Sequence, residues 1–204
     1  DKYEYTYIDS MRPTDDGYVV TYQCYGGENE SEAHLVKLDK SFNILSDSML
    51  TAKEFGLRDG TEININSVAV IGNDIYASIN AYYYDEKTYE YDNSTLMYNL
   101  TKHEEIDVSY LNDKLGEDYY AERSGIGEDG TVFVSAYNFG PSSIAYSLFF
   151  GKDGKYLKTI DVSKETSLDQ IWMVDFVSSS GNEITFIAQG EDRDVHSKPD
   201  RLAS

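Results

Sequence analysis

With 204 residues, 37 of them acidic and 17 basic, the chain carries a formal charge of −20. Such a field repels phosphate backbones and anionic lipid surfaces, which argues against nucleic-acid binding and peripheral membrane attachment. Apolar residues make up 40% and the charge is not gathered in a tail, so a folded domain is expected rather than disorder.

Nineteen tyrosines and eight phenylalanines against three prolines favour strands. Cys24 is the lone cysteine, so no intrachain disulfide can form, and within "YQCY" it reads as a small strand residue. His34, His103 and His196 are scattered without the spacing of a zinc site, so no metal and no cofactor is expected. No apolar run approaches the roughly 20 residues that span a bilayer, which argues against direct membrane insertion. The chain opens at Asp1 without an initiator methionine or signal peptide, and so reads as a processed product or a piece of a longer protein. Acidity, abundant tyrosine and near-absence of cysteine suit an exported bacterial protein.

In chain order, the first strand is expected at "YEYTYI" from Tyr3, and a turn in "TDDGYVVTY" leads to a second strand over 17–25. "AHLVKL" from Ala33 follows as a third strand, then the turn "DKSFN" and a fourth strand "ILSDSM". The second unit repeats this with "INSVAV" from Ile65, "IGNDIYASI" opening a strand over 74–84, "TLMYNL", "TKHE" and the strand "EIDVSY". The third runs "AERSGI" from Ala121, "GEDGTVFVSA" opening a strand over 130–138, "IAYSLFF", "GKDGK" and "YLKTIDV". A fourth begins with "IWMVDFV" from Ile171 and "SSGNEITFIA" with a strand over 183–189, but then passes into the polar run "GEDRDVHSKPDRLAS".

The turn segments recur roughly 55 residues apart, the mark of a repeat architecture. Four antiparallel strands per unit predict an all-β protein, a β-propeller segment with approximate blades at 1–50, 63–110, 119–163 and an incomplete 168–204. The alternatives are a β-sandwich or an open stack of antiparallel sheets. Outer hairpins such as "LVKLDKSFNIL" and "LFFGKDGKYLKTI" resemble the blades of secreted bacterial β-propellers. Similar blades occur in lipoproteins of Gram-positive bacteria, some fused to the solute-binding domain of an ABC importer. The resemblance implies a secreted or lipid-anchored, non-catalytic recognition or scaffolding module, an accessory propeller within a larger chain. A closed ring needs at least about four blades, which fits a segment of a larger ring better than a complete one.

Function is expected in the loops between second and third strands, which are long and dissimilar, whereas the first turns are short and alike. The longest, "NAYYYDEKTYEYDNST" from Asn80, should project as a hairpin carrying Tyr82, Tyr84, Tyr89 and Tyr91, with Tyr25, Tyr137 and Phe139 on the same side. Flat rings with hydroxyl edges suit a protein or glycan partner. Equally, the tyrosines can cover one another across the hairpin. Asp85, Glu86, Glu90 and Asp92 lack the spacing of a calcium loop. Trp172, in "IWMVDF", reads as core. The sequons at Asn93 and Asn99 read as chance matches, and no hydrolase motif occurs. The enzymatic alternative is a propeller glycoside hydrolase using carboxylates at the ring axis, for which the first strands offer Glu4, Glu122 and Asp175 without a shared register.

Overall fold

Four hairpins close at the expected turns. The structure is a computed structural model that describes residues 3–26, 31–115, 119–139, 144–168, 170–180 and 183–191, with the backbone alone at 112 and 175–180. His196, the polar run after Glu191 and parts of the loops at 27–30 and 140–143 lie outside these residues.

The first sheet is β1 (Tyr5–Pro13), β2 (Gly17–Tyr25), β3 (Glu32–Asp39) and β4 (Ile44–Leu50), hydrogen-bonded in chain order. The second has β5 (Glu62–Ile71), β6 (Asp74–Asp85), β7 (Glu90–Asn99) and β8 (Glu104–Ile106) in the same order. The third, β9 (Tyr120–Ile126), β10 (Val132–Phe139), β11 (Ile144–Lys152) and β12 (Lys155–Asp161), repeats it, and β13 (Gln170–Ser180) pairs with β14 (Glu183–Glu191) as a fourth, two-stranded sheet. All pairings are antiparallel. The molecule is therefore all-β, three four-stranded meanders and a two-stranded one.

Strand alternation explains how the sheets stack. Ile75, Ala77, Ile79 and Ala81 point from β6 toward the first sheet and pack with Val19, Ala33 and Leu50. The opposite face of the second sheet gives Met97 to a core shared with Val132, Val134 and Phe149 of the third. Phe133, Leu148 and Phe150 leave the other face of the third sheet and meet Ile171 and Val174 of β13. Every inter-sheet core thus joins neighbours in chain order.

Two expectations need correction. The strand expected at "EIDVSY" ends at Ile106, and the chain instead enters the helix α1 (Ser109–Leu115). Asp107 starts it by accepting the Ser109 amide at 2.9 Å, and Val108, Leu111 and Leu115 bury one face. Comparable capped turns follow the fourth strands of the other two complete sheets. Glu54 accepts the Thr51 amide at 2.8 Å at the 3₁₀ turn Ala52–Phe55, and Asp161 accepts that of Ser163 at 3.1 Å before α2 (Val162–Glu165). The second correction is Trp172, which is 55% exposed rather than core.

Its exposure has a local cause that recurs. The first strand of every sheet is bulged, at the same register position in the first three sheets, at Asp9, Asn66 and Glu122, and at other positions on β13, one of them Trp172. A bulge inserts one unpaired residue and re-aims its side chain out of alternation. Trp172 therefore leaves the face that Ile171 and Val174 bury.

Candidate functional site

The tyrosine hairpin is built from its tip. Asp85 Oδ1 accepts the amides of Lys87 at 2.8 Å and Thr88 at 3.2 Å, and Tyr89 N donates to the Asp85 carbonyl at 2.8 Å. These amides favour the charged carboxylate and hold Asp85 below the usual carboxylate range. Tyr89 closes the turn with φ 58° and is 78% exposed. The ladder is unbroken from Tyr76↔Asn99 to Asp85↔Glu90, so Tyr84 stands opposite Tyr91 and Tyr82 opposite Asn93.

The hairpin's two faces differ. Toward the first sheet, the Arg58 guanidinium lies 4.1 Å from the Tyr83 ring centroid and its Nη1 reaches Glu90 at 2.8 Å. This brace comes from the connection between the first two sheets. Toward the third sheet, Tyr91, Asn93 and Thr95 form one wall of a cleft of about 720 Å³. Tyr119, Tyr120 and Ala121 form the other, and Glu105, Asp107 and Ser109 line its base. The volume falls in the range of small-molecule sites. Tyr91 is 60% exposed and offers a ring face to a ligand, whereas the ring of Tyr120, 54% exposed at the cleft's edge, stacks on its cross-strand partner Tyr137 on the face turned to the fourth sheet. Asp107 is held below the usual carboxylate range by its bonds from Ser109.

The expected site residues divide accordingly. Tyr91 lines the cleft, Tyr82 meets it edge-on at 5.5 Å, Tyr84 faces it across the ladder, and Tyr89 sits at the tip. Tyr137 and Phe139 gather behind Tyr120, with ring centroids 5.6 Å from it. Tyr25 occupies the register position of Tyr82 and Phe139, at the same end of its sheet, but on the far side of the second sheet. Its hydroxyl bonds Gln23 and lies 2.8 Å from Asn64 Oδ1. Sequence reasoning missed Tyr119, Tyr120, Glu105 and Asp107. The available signal was "IDVS", which appears at 106–109 and again at 160–163 and marks a capped turn between sheets.

Of the carboxylates of the enzymatic alternative, the side chains of Glu4 and Glu122 are described, while that of Asp175 lies outside the described residues. Glu122 stands at the third sheet's bulge, whereas Glu4 lies five residues before the bulge at Asp9 in the first sheet. Glu122 bonds Tyr146, whose phenol burial and that carboxylate push up to about 12. Asp9, on the first sheet, is raised by burial, an effect that a bond from Gln23 partly offsets. A raised carboxyl favours its neutral form in the fold. Its contribution to stability is therefore full below the ordinary carboxylate pKa and lost as pH rises through the higher folded value. Asp9→Asn, which keeps an acceptor for Gln23, is expected to raise the melting temperature at pH 7, with the gain vanishing as pH falls through the carboxylate range. Melting curves from pH 3 to pH 8 check this, and a constant difference across them contradicts it.

Among the described residues no three His, Cys, Asp or Glu side chains converge as a metal site, and no helix is long and apolar enough to cross a membrane. Neither family models nor curated proteins match the chain.

Proposed function

We propose that the chain is a segment of a β-propeller, its sheets the blades, acting as a non-catalytic recognition module that binds a protein or glycan through the loop-bearing end. The observation that carries this reading is the cleft between the tyrosine hairpin and the third sheet, with exposed Tyr91 above an acceptor-rich base. Aromatic faces supply contact area at low entropic cost, and nearby polar groups fix orientation. In keeping with the blade resemblance, the module belongs to an exported or cell-surface bacterial protein, as the accessory propeller of a solute-binding lipoprotein. The serial stacking of alike sheets supports the propeller reading, because the second and third sheets each use one face for the preceding neighbour and the other for the next.

A glycoside hydrolase on this scaffold would need a proton donor of raised pKa near a second carboxylate. Asp107, in the cleft, is shifted the other way, and Asp9, which is raised, lies beyond the second sheet. Binding without turnover is the better fit.

Tyr84→Ala/Tyr91→Ala, two exposed tyrosines on the hairpin face turned to the cleft, tests the reading against glycan and peptide arrays. Binding by the parent is expected to be abolished in the double variant. The fold should change by little more than their cross-strand pair, worth about 0.2–1 kcal/mol. Binding that survives wherever the fold does would make the tyrosines mere covers for one another, and the proposal would fall.

A further inference from the structure

We infer that the ligand is a neutral glycan whose end enters between the second and third sheets, where Asn80 and Asn138 read its hydroxyl groups. This rests on the recognition reading above and names the ligand class and the residues that select it. Alternation places Asn80 on the same face of β6 as Ser78, whose hydroxyl meets Ser124 of the third sheet at 2.8 Å. Asn80 therefore faces the third sheet. Asn138 shares its face of β10 with Val134 and Ala136, which pack toward the second sheet. The two amides face one inter-sheet space from opposite walls.

Their Oδ1 atoms are both buried, and neither has a hydrogen-bond partner. A buried acceptor without a donor is costly, so two of them in one space call for donors from elsewhere. The space adjoins the cleft. Thr95, which pairs with Asn80, and Ala121, which pairs with Ala136, both line that cleft. Around Asn138 its own sheet presents small side chains, Ala121, Ala136 and Ser147, on the face turned to the second sheet.

The lining then selects among donors. Asn93, Ser94, Thr95, Glu105, Asp107 and Ser109 are amides, hydroxyls and carboxylates, and among the described residues no lysine or arginine lines the cleft. Together with a chain charge of −20, this disfavours uronic acids, sulfated sugars and phosphates. Sugar hydroxyls donate to carboxylates and amide oxygens, while the sugar's apolar face can lie on Tyr91. A hydroxyl also accepts, so it satisfies an asparagine in either amide orientation.

The test titrates cello-, xylo-, manno- and chito-oligosaccharides, with oligogalacturonate as the anionic control, by calorimetry. The proteins are the parent chain, Asn80→Leu and Asn138→Leu. Replacing an unpartnered buried amide by an apolar side chain should leave the melting temperature unchanged or raise it. At least one neutral oligosaccharide is expected to bind the parent, and each variant to weaken it roughly tenfold, the usual effect of losing one good hydrogen bond. Oligogalacturonate should bind more weakly than any neutral ligand. Neutral binding that both leucine variants retain in full would overturn the inter-sheet placement. Peptide binding that depends on Tyr84 and Tyr91, with no oligosaccharide binding, would overturn the glycan assignment and leave the recognition reading standing. Preference for the anionic oligomer would overturn the argument from charge.

Discussion

Phe150→Ala is expected to cost about 3–5 kcal/mol of unfolding free energy, the range for deleting a buried aromatic ring. Phe150 is fully buried where the third sheet meets β13. Its ring packs with Phe133, its partner across the β10–β11 ladder, and with Ile171 and Val174 of the next sheet. The surrounding strands are fixed by their ladders, so they can only partly collapse into the cavity left behind. Tyr84→Ala, on an exposed part of the hairpin, should stay within about 0.5 kcal/mol apart from its pairing with Tyr91. Urea denaturation of both variants measures the contrast. Equal costs would show that the core between the third and fourth sheets does not hold the fold.

Gly17→Ala is the second large effect expected, and it arises from close approach rather than from a turn. A Cβ at Gly17 would stand 2.0 Å from the Leu38 carbonyl oxygen and 2.9 Å from the Asp39 backbone. Both belong to β3, paired with Gly17 in the ladder, so no flexible side chain can give way. The cost should reach or exceed the upper end of the about 1–3 kcal/mol typical of overpacking. Gly72→Ala supplies the comparison. Gly72 has φ 59° and nothing within 4 Å of where an added methyl group would stand, so only the left-handed conformation is penalised, by about 1–2 kcal/mol. Thermal melts that rank Gly72→Ala as the more harmful would contradict the close-approach account.

The strands were legible because their information is local. Second strands expected over 17–25, 74–84, 130–138 and 183–189 correspond to Gly17–Tyr25, Asp74–Asp85, Val132–Phe139 and Glu183–Glu191. Turn pairs and period-two alternation suffice for that. Gly17 shows the limit even here, since its place in "TDDG" suggested a turn glycine while its actual constraint comes from β3. Bulges were not legible, because "IDS", "INS", "AERS" and "IWMV" contain no turn residue in common and the extra residue is defined only by the pairing partner. Trp172 was misread for that reason. The site was half visible. Tyr82, Tyr84 and Tyr91 announce themselves by composition, but Tyr120 and Asp107 become cleft residues only once the third sheet stands opposite the hairpin. Asn80 and Asn138, 58 positions apart, share a space for the same reason.

Serial stacking also sets how far an event at one place can be felt. Each inter-sheet core joins a sheet to its chain neighbours, so cooperativity passes through one joint at a time, as along a row of nearest neighbours. A molecule lodged between the second and third sheets would act as a clip on a single joint. It would slow the parting of those two layers strongly, and lend progressively less to the layers beyond them.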